Sequence, residues 1–222
     1  MSEATDPRAV VFDLDGLMFN TEDLYHDVGE ALLRRRGEPI RRELFDAMMG
    51  LPGEVALRLM IDQHALTDSV EDLARESDEI LVALFDEHLA PMPGLMRLLD
   101  ALEAAEIPKA IATSSSRAMV TDVLRRFDLE PRFAFLLTAE DVTHGKPHPE
   151  IYQTAAQRLS LSPAELLVLE DSGNGSRAAV AAGTFTVAVP THHSREHDFS
   201  GTRWISDSLE DPRIYEALGL SR

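Results

Sequence analysis

Cysteine is missing from this 222-residue chain. Its absence excludes disulfides, thiolate nucleophiles and cysteine-based zinc centres, and is compatible with a reducing compartment. Long apolar runs are missing as well: nowhere do eighteen apolar residues follow one another, so no membrane-crossing helix is expected. Met1 to Arg8 carry neither a basic stretch nor an apolar core of the kind that leads a chain into export, and a cytoplasmic location is the expectation. Positive charge is scarce, with 21 bases against 39 acids and a net charge of −18. A nucleic-acid backbone or an anionic membrane would be repelled at long range, which leaves small anionic ligands held by local positive charge. Lysine is scarcer still. Only Lys109 and Lys146 occur among the 21 bases, so this chain uses arginine at its surface, and a lysine between Gly145 and Pro147 is not expected to be a casual surface residue.

What is present is enough apolar side chain, 44% of residues, to bury a sizeable core, in one domain or in a core with a smaller insertion. Ala9 to Phe12 is apolar without alternation and ends in Asp13-Leu14-Asp15-Gly16. Such a run reads as a strand buried on both faces of a parallel sheet. Its carboxyl end opens into the crevice where open α/β sheets bind ligands. Two acids in that mouth repel one another unless a cation or a basic side chain shares the site, so the pair predicts a metal, a nucleophile, or both.

After Gly16 the pattern turns helical. Asn20 or Thr21 is a candidate N-cap, and Gly37 a stop after Arg34-Arg35-Arg36. Helices are expected near Arg41 to Met49, Glu54 to His64 and Val70 to Leu89, with no strand among them. Residues 18–91 therefore form an all-helical insertion, a candidate lid, ending at Pro91-Met92-Pro93-Gly94. Residues 1–17 and 92–222 form the α/β core. Its further strands are expected at Lys109 to Thr113, Phe133 to Leu137, Leu166 to Leu169, Phe185 to Val189 and, weakly, Trp204-Ile205. Helices are expected near Gly94 to Ala105, Arg117 to Phe127, Pro149 to Leu159, Gly175 to Ala182 and Ser208 to Leu218, so the sheet carries helices on both faces.

Right-handed crossovers bring the carboxyl ends of parallel strands to one edge. Four polar elements meet there: Asp13 and Asp15; Thr113-Ser114-Ser115-Ser116; Gly145-Lys146-Pro147; and Glu170-Asp171. Each has a plain structural reading. The Thr-Ser run caps a helix, Lys146 pairs with a core acid, and Glu170-Asp171 caps the helix after Gly173-Asn174-Gly175. Together they suit phosphoryl chemistry. A helix N-terminus with hydroxyls binds anions, a lysine neutralises a transferring phosphoryl group, and paired acids at two strand ends suit Mg²⁺. A carboxylate can then attack phosphorus while a second acid protonates the leaving alkoxide and later deprotonates water.

These four ordered motifs, Asp13-Leu14-Asp15-Gly16, Thr113-Ser114, Gly145-Lys146-Pro147-His148-Pro149 and Glu170-Asp171-Ser172, resemble those of the haloacid dehalogenase superfamily. The helical insertion is similar to the small cap of its β-phosphoglucomutase-like branch, which includes sugar-phosphate phosphatases. The resemblance implies a Rossmann-like α/β core with Asp13 as nucleophile and Mg²⁺ ligand. It implies Asp15 as acid/base with its carbonyl on the metal, and Thr113 and Lys146 as catalytic holders of the phosphoryl group. Gly16, Ser114 and Ser115 join Lys146 in substrate binding, and Asp171 with Glu170 completes the metal set. Dehalogenases of the superfamily lack the second acid of the first motif, so Asp15 favours phosphate chemistry. The mutase's cap histidine and arginine correspond to Tyr25 and Gly53 here, with His26 one residue away, and Asn20 replaces a frequent aspartate. The expectation is a monomeric Mg²⁺-dependent phosphatase of a small phosphorylated metabolite, with a phosphohexomutase as the alternative.

Other residues invite a function and have plainer explanations. Thr191 to His197 holds three histidines at a metal-like spacing, but reads as a polar or substrate-lining loop. His148 reads as a turn or helix-start residue, and Arg34-Arg35-Arg36 as solvated charge at a helix end. Leu24, Val28, Ala31 and Leu32 follow helical spacing and are expected to pack inside the insertion. Substrate identity is expected to lie with Tyr25, His26, the Gly50-to-Gly53 turn and arginines such as Arg58 or Arg75.

Overall fold

Every residue of the apolar run Ala9–Phe12 (β1) is fully buried in the computed structural model, which describes residues 6–39, 41–48, 51 and 53–220. There follow Thr21–Arg35 (α1), Arg42–Met48 (α2), Gly53–His64 (α3) and Val70–His88 (α4), all helical. Next come Leu95–Ala104 (α5), Lys109–Ala112 (β2), Arg117–Arg126 (α6), Leu136–Leu137 (β3), Glu150–Leu159 (α7), Leu166–Glu170 (β4), Gly173–Ala182 (α8), Phe185–Ala188 (β5), Trp204–Ile205 (β6) and Pro212–Ala217 (α9). The expected Gly50-to-Gly53 turn, at Gly50 and Pro52, and the last residue of the expected Arg41 to Met49 helix lie outside the described residues. Among the described residues no helix is long and apolar enough to cross a membrane.

The strands form one six-stranded, all-parallel sheet in the order β3-β2-β1-β4-β5-β6. The direction of winding reverses between β1 and β4, so the switch-point crevice lies at their carboxyl ends. Phe12 is in register with Leu169 on one side and Ile111 on the other. One face of the sheet, with Ala9, Val11, Ala112 and Val168, packs on Ile151, Tyr152, Ala155 and Ala156 of α7 and on Ala178, Ala179 and Ala182 of α8. Small residues on both helices let them approach the sheet and each other closely. Strand side chains alternate between faces, and Val10, Phe12, Leu167 and Leu169 are also fully buried, so the second face is covered as well. Burial of Phe12 alone stabilises by roughly 2–3 kcal/mol.

β3 is shorter than expected. The chain arrives from a one-turn helix at Glu130–Arg132, and Phe133 packs edge-on against Phe12 instead of extending the ladder. The last helix is also shorter, because Asp211 caps it through the Arg213 amide and Pro212 sets its first turn.

The chain divides into two compact units, Met1–Phe19 with Pro91–Arg222, and Asn20–Ala90. Met18 and Phe19 fall with the α/β unit because Met92 N–H donates to the Met18 carbonyl at 2.8 Å and Phe19 stacks on Phe127. Within the helical unit, Asn20 occupies the N-cap position of α1 without capping it. Its amide instead joins the two ends of the unit, donating to the His88 carbonyl at 3.1 Å and accepting from the Ala90 amide at 2.8 Å. Leu24, Val28 and Leu32 are buried as the spacing predicts, while Ala31 is half-buried and Leu33 is buried beside them. Arg36 departs from the expected solvated run. Its guanidinium is largely covered and Nη2 lies 2.7 Å from both Asp68 and Glu76, so it is paired with opposite charge. Arg75 is exposed and paired with Asp72, and the His26 ring stacks on Phe45.

Candidate active site

β1 ends by handing Asp13 to the crevice. The Asp13 amide donates to the Leu169 carbonyl at 3.0 Å, which continues the ladder one residue past the strand and aims the side chain beyond the sheet edge. Gly16 then takes a left-handed φ of 72° and its amide donates to Phe19, a tight turn that a side chain would strain. The next strand places Thr113, whose amide donates to Leu137. Ser116, three residues on, caps α6 through the Met119 amide. Because Ser116 does the capping, Thr113 and Ser115 are released for other partners. Both hydroxyls donate to Asp15 Oδ2, at 3.0 and 2.6 Å, and the Ser115 amide donates back to Thr113 Oγ1. Asp15 Oδ1 is buried and has no hydrogen-bond partner among the described residues. Ser114 is half-buried in the same turn.

Lys146 enters from the loop before α7 with its side chain 5% exposed. Its Nζ donates to Asp13 Oδ1 at 2.5 Å, to Glu170 Oε1 at 2.6 Å and to the Ala112 carbonyl at 2.9 Å, which uses all three ammonium protons. Burial opposes charge on Lys146, but Asp13 and Glu170 outweigh it and hold its pKa well above the usual lysine value. Burial also acts on Asp13. Countered by Lys146 but reinforced by Glu170 and Asp15, it pushes the Asp13 pKa up from the usual aspartate value.

Asp13, Glu170 and Asp171 are all buried, with oxygens within 4.8 Å of one another, a donor set that suits a hard divalent cation. Lys146 supplies one positive charge against these three carboxylates, and a divalent cation would restore the balance. The three are not alike. Glu170 Oε1 accepts from Lys146 and from Tyr152 Oη at 2.6 Å, and Oε2 accepts from the Ser172 amide and hydroxyl at 3.3 and 3.1 Å. Four donors fill the roughly four acceptor positions that a carboxylate offers. The helix after β4 has Ser172 at its N-cap, accepting from the Gly175 amide.

A family model described as haloacid dehalogenase-like hydrolase matches residues 10–189. The chain belongs to the haloacid dehalogenase-like hydrolases. The phosphorylated carbohydrates phosphatase of Thermotoga maritima is 34% identical to this hydrolase over 79% of the chain and 82% of that protein. Among solved structures, CbbY from Rhodobacter sphaeroides in complex with phosphate superposes with a TM-score of 0.81 at 28% identity, covering 92% of this chain and 96% of CbbY. A putative beta-phosphoglucomutase from Thermotoga maritima superposes with a TM-score of 0.76 at 30% identity, covering 96% of this hydrolase and 97% of that chain.

The hydrolase thus brings Asp13, Asp15, Thr113, Ser115, Lys146, Glu170 and Asp171 to one sheet edge. Two residues of that edge escaped the sequence reading. Tyr152 is fully buried on the apolar face of α7, its hydroxyl on Glu170 and its ring 5.2 Å from Lys146 Nζ. Burial, with the Glu170 charge beside it, raises its pKa well above the usual phenol value and keeps the hydroxyl a donor. The available signal was a tyrosine among Ile151, Ala155 and Ala156, since a buried tyrosine hydroxyl must find a partner. The other is Gly175. A Cβ there would lie 1.7 Å from Glu170 Oε1, so the carboxylate occupies the space a side chain would need. The His192-His193 pair stacks at 3.9 Å in its loop, and His197 Nδ1 accepts from the Gly173 amide at 3.2 Å, tying that loop to the start of α8.

Proposed function

We propose that this hydrolase is a phosphatase of phosphorylated small molecules, sugar phosphates foremost, working through a phosphorylated Asp13. The observation that carries the reading is the pairing of Asp13 with Lys146 beside Asp15 at the switch point of the sheet. Lys146 holds Oδ1 of Asp13, which leaves Oδ2 as the attacking oxygen. Oδ2 bonds to phosphorus as the ester P–O bond breaks, and Asp15 gives a proton to the departing alkoxide. Water then attacks phosphorus, Asp15 takes its proton back, and inorganic phosphate leaves Asp13. Thr113 and Ser115 hold Asp15 by Oδ2, so Oδ1 is the oxygen left to carry the proton. For either hydroxyl to bind the phosphoryl group as well, it must turn away from Asp15.

Asp13 and Asp171 are the carboxylates we assign to Mg²⁺, together with the Asp15 carbonyl; Glu170, with its acceptor positions filled, anchors Lys146. Mg²⁺ held by these groups would offset carboxylate charge and polarise the phosphoryl oxygens. The name of the Thermotoga phosphatase supports a phosphorylated carbohydrate as substrate, and the net charge of −18 disfavours polyanionic ones.

Steady-state phosphate release with Asp13→Asn tests the reading: a loss of about 10³-fold or more is expected, and turnover near wild type ends it. Because a putative beta-phosphoglucomutase shares the fold, isomer interconversion is measured with and without a bisphosphate primer. Efficient interconversion with little phosphate released would replace hydrolysis by phosphoryl return to the sugar.

A further inference from the structure

The loop that delivers Lys146 carries a second group of ligating atoms on its outer side. His144 lies two residues before Lys146, His148 two after, and Glu150 begins α7. His144 Nδ1 is 2.8 Å from Glu150 Oε2, His148 Nδ1 is 3.8 Å from the same oxygen, and one donor atom from each residue lies within 4.8 Å of the others. The two imidazoles stack with centroids 4.6 Å apart. Backbone contacts hold the carboxylate in place: Glu150 Oε1 accepts from the Thr143 amide at 2.7 Å and Oε2 from the His144 amide at 3.0 Å. The Glu150 amide in turn donates to His148 Nδ1 at 3.3 Å, a long bond that a metal at this nitrogen would replace. The His144 and His148 side chains are 62% and 49% exposed, which leaves the cluster open to an ion and its waters.

We propose that His144, His148 and Glu150 form a second cation site, distinct from the buried carboxylates, for a divalent transition metal of which Zn²⁺ is the representative. Two imidazoles and a carboxylate match the ligand preference of Zn²⁺, whereas Mg²⁺ favours oxygen and water. A tetrahedral Zn²⁺ with bonds of about 2.0–2.1 Å spaces its donors roughly 3.3 Å apart. The observed 2.8 and 3.8 Å separations lie on either side of that value. Facing a carboxylate, His144 Nδ1 donates its proton to Glu150; on binding, that proton leaves to solvent while Nε2 takes one up, so the ring stays neutral and the freed Nδ1 electron pair forms the N–Zn bond, with water completing the coordination.

Isothermal titration of the full chain with Zn²⁺, in saturating Mg²⁺, is the test. One site is expected, weakened about tenfold or more by His144→Ala and by His148→Ala, and unchanged by Asp13→Asn or by His192→Ala with His193→Ala. Cu²⁺ loaded in place of Zn²⁺ should show nitrogen couplings from two imidazoles in its EPR spectrum, falling to one in either single variant. Wild-type affinity in the His144 and His148 variants, or loss of the site in the Asp13 or His192/His193 variants, overturns the proposal. Both histidines are exposed, and a melting temperature unchanged in chelator establishes that the variants fold.

Discussion

The two lysines of this chain sit at opposite edges of the same sheet, each with a side chain 5% exposed. At the amino edge, Lys109 opens β2 and pairs with Glu103 at 2.8 Å, while Arg132 also contacts Glu103 and reaches Asp100. Glu103 keeps 43% of its side chain in water and contacts two cations, one of them shared with Asp100. At the carboxyl edge, one lysine faces three buried carboxylates. The first arrangement neutralises a strand end. The second is short of positive charge in a place where burial makes the shortfall costly, and so it is the edge to which we assign ion binding.

The largest difference between the edges should appear on removing each lysine. Lys146→Met leaves Asp13 and Glu170 buried without their cation and should cost about 3–5 kcal/mol in urea denaturation, with at least about 10²-fold loss of phosphate release. Lys109→Met should cost about 1 kcal/mol or less, since Glu103 retains Arg132 and water, and should leave turnover intact. Similar effects of the two variants would remove the distinction.

Gly175→Ala sharpens the contrast from the helix side. An alanine inside α8 ordinarily gains about 1 kcal/mol, but the 1.7 Å approach to Glu170 Oε1 should reverse the sign to a net loss of about 2 kcal/mol and lower kcat by displacing the anchor of Lys146. A stabilised, fully active variant would mean that Glu170 can move without consequence. Tyr152→Phe keeps the ring beside Lys146 and deletes one bond to a charged acceptor, so a loss of about 1.5 kcal/mol is expected. Its kcat should fall further than its KM rises.

The smallest effect belongs to the amino edge and to pH. Glu103 is lowered to about 2, first by the hydrogen bond from Arg132 and then by that from Lys109. A carboxyl with a depressed folded value stabilises above its unfolded pKa of about 4.3 and loses that contribution as pH falls. Glu103→Gln should therefore be less stable than wild type at pH 7, by under about 1 kcal/mol given its exposure. The gap should close between about pH 5 and pH 2, as followed by denaturant midpoints.

Local pattern determined much of this protein. An unbroken apolar run ending in two acids can only be a buried strand opening on a polar edge, so β1 and its acids were legible from Ala9 to Asp15. A parallel sheet follows from alternating elements and the handedness of crossovers, which act at short range, whereas its strand order came only with the tertiary structure. The four motif segments could be ordered along one edge because each directly follows a strand or precedes a helix. Partnership, in contrast, was decided by the tertiary structure. The sequence placed Glu170 among metal ligands, but only packing brings Tyr152, 18 residues back, and Ser172 onto its oxygens. It offered the Thr-Ser run as a cap or an anion site, and only the fold assigns capping to Ser116 and turns Thr113 and Ser115 to Asp15, about a hundred residues away in sequence. It identified Lys146 as unusual without naming its two carboxylates, or the space at Gly175 that one of them needs. Hydrophobic period and turn chemistry are written in neighbouring residues. Hydrogen-bond saturation, clearance and charge balance depend on distances between residues far apart in the chain, and those exist only once the sheet has formed.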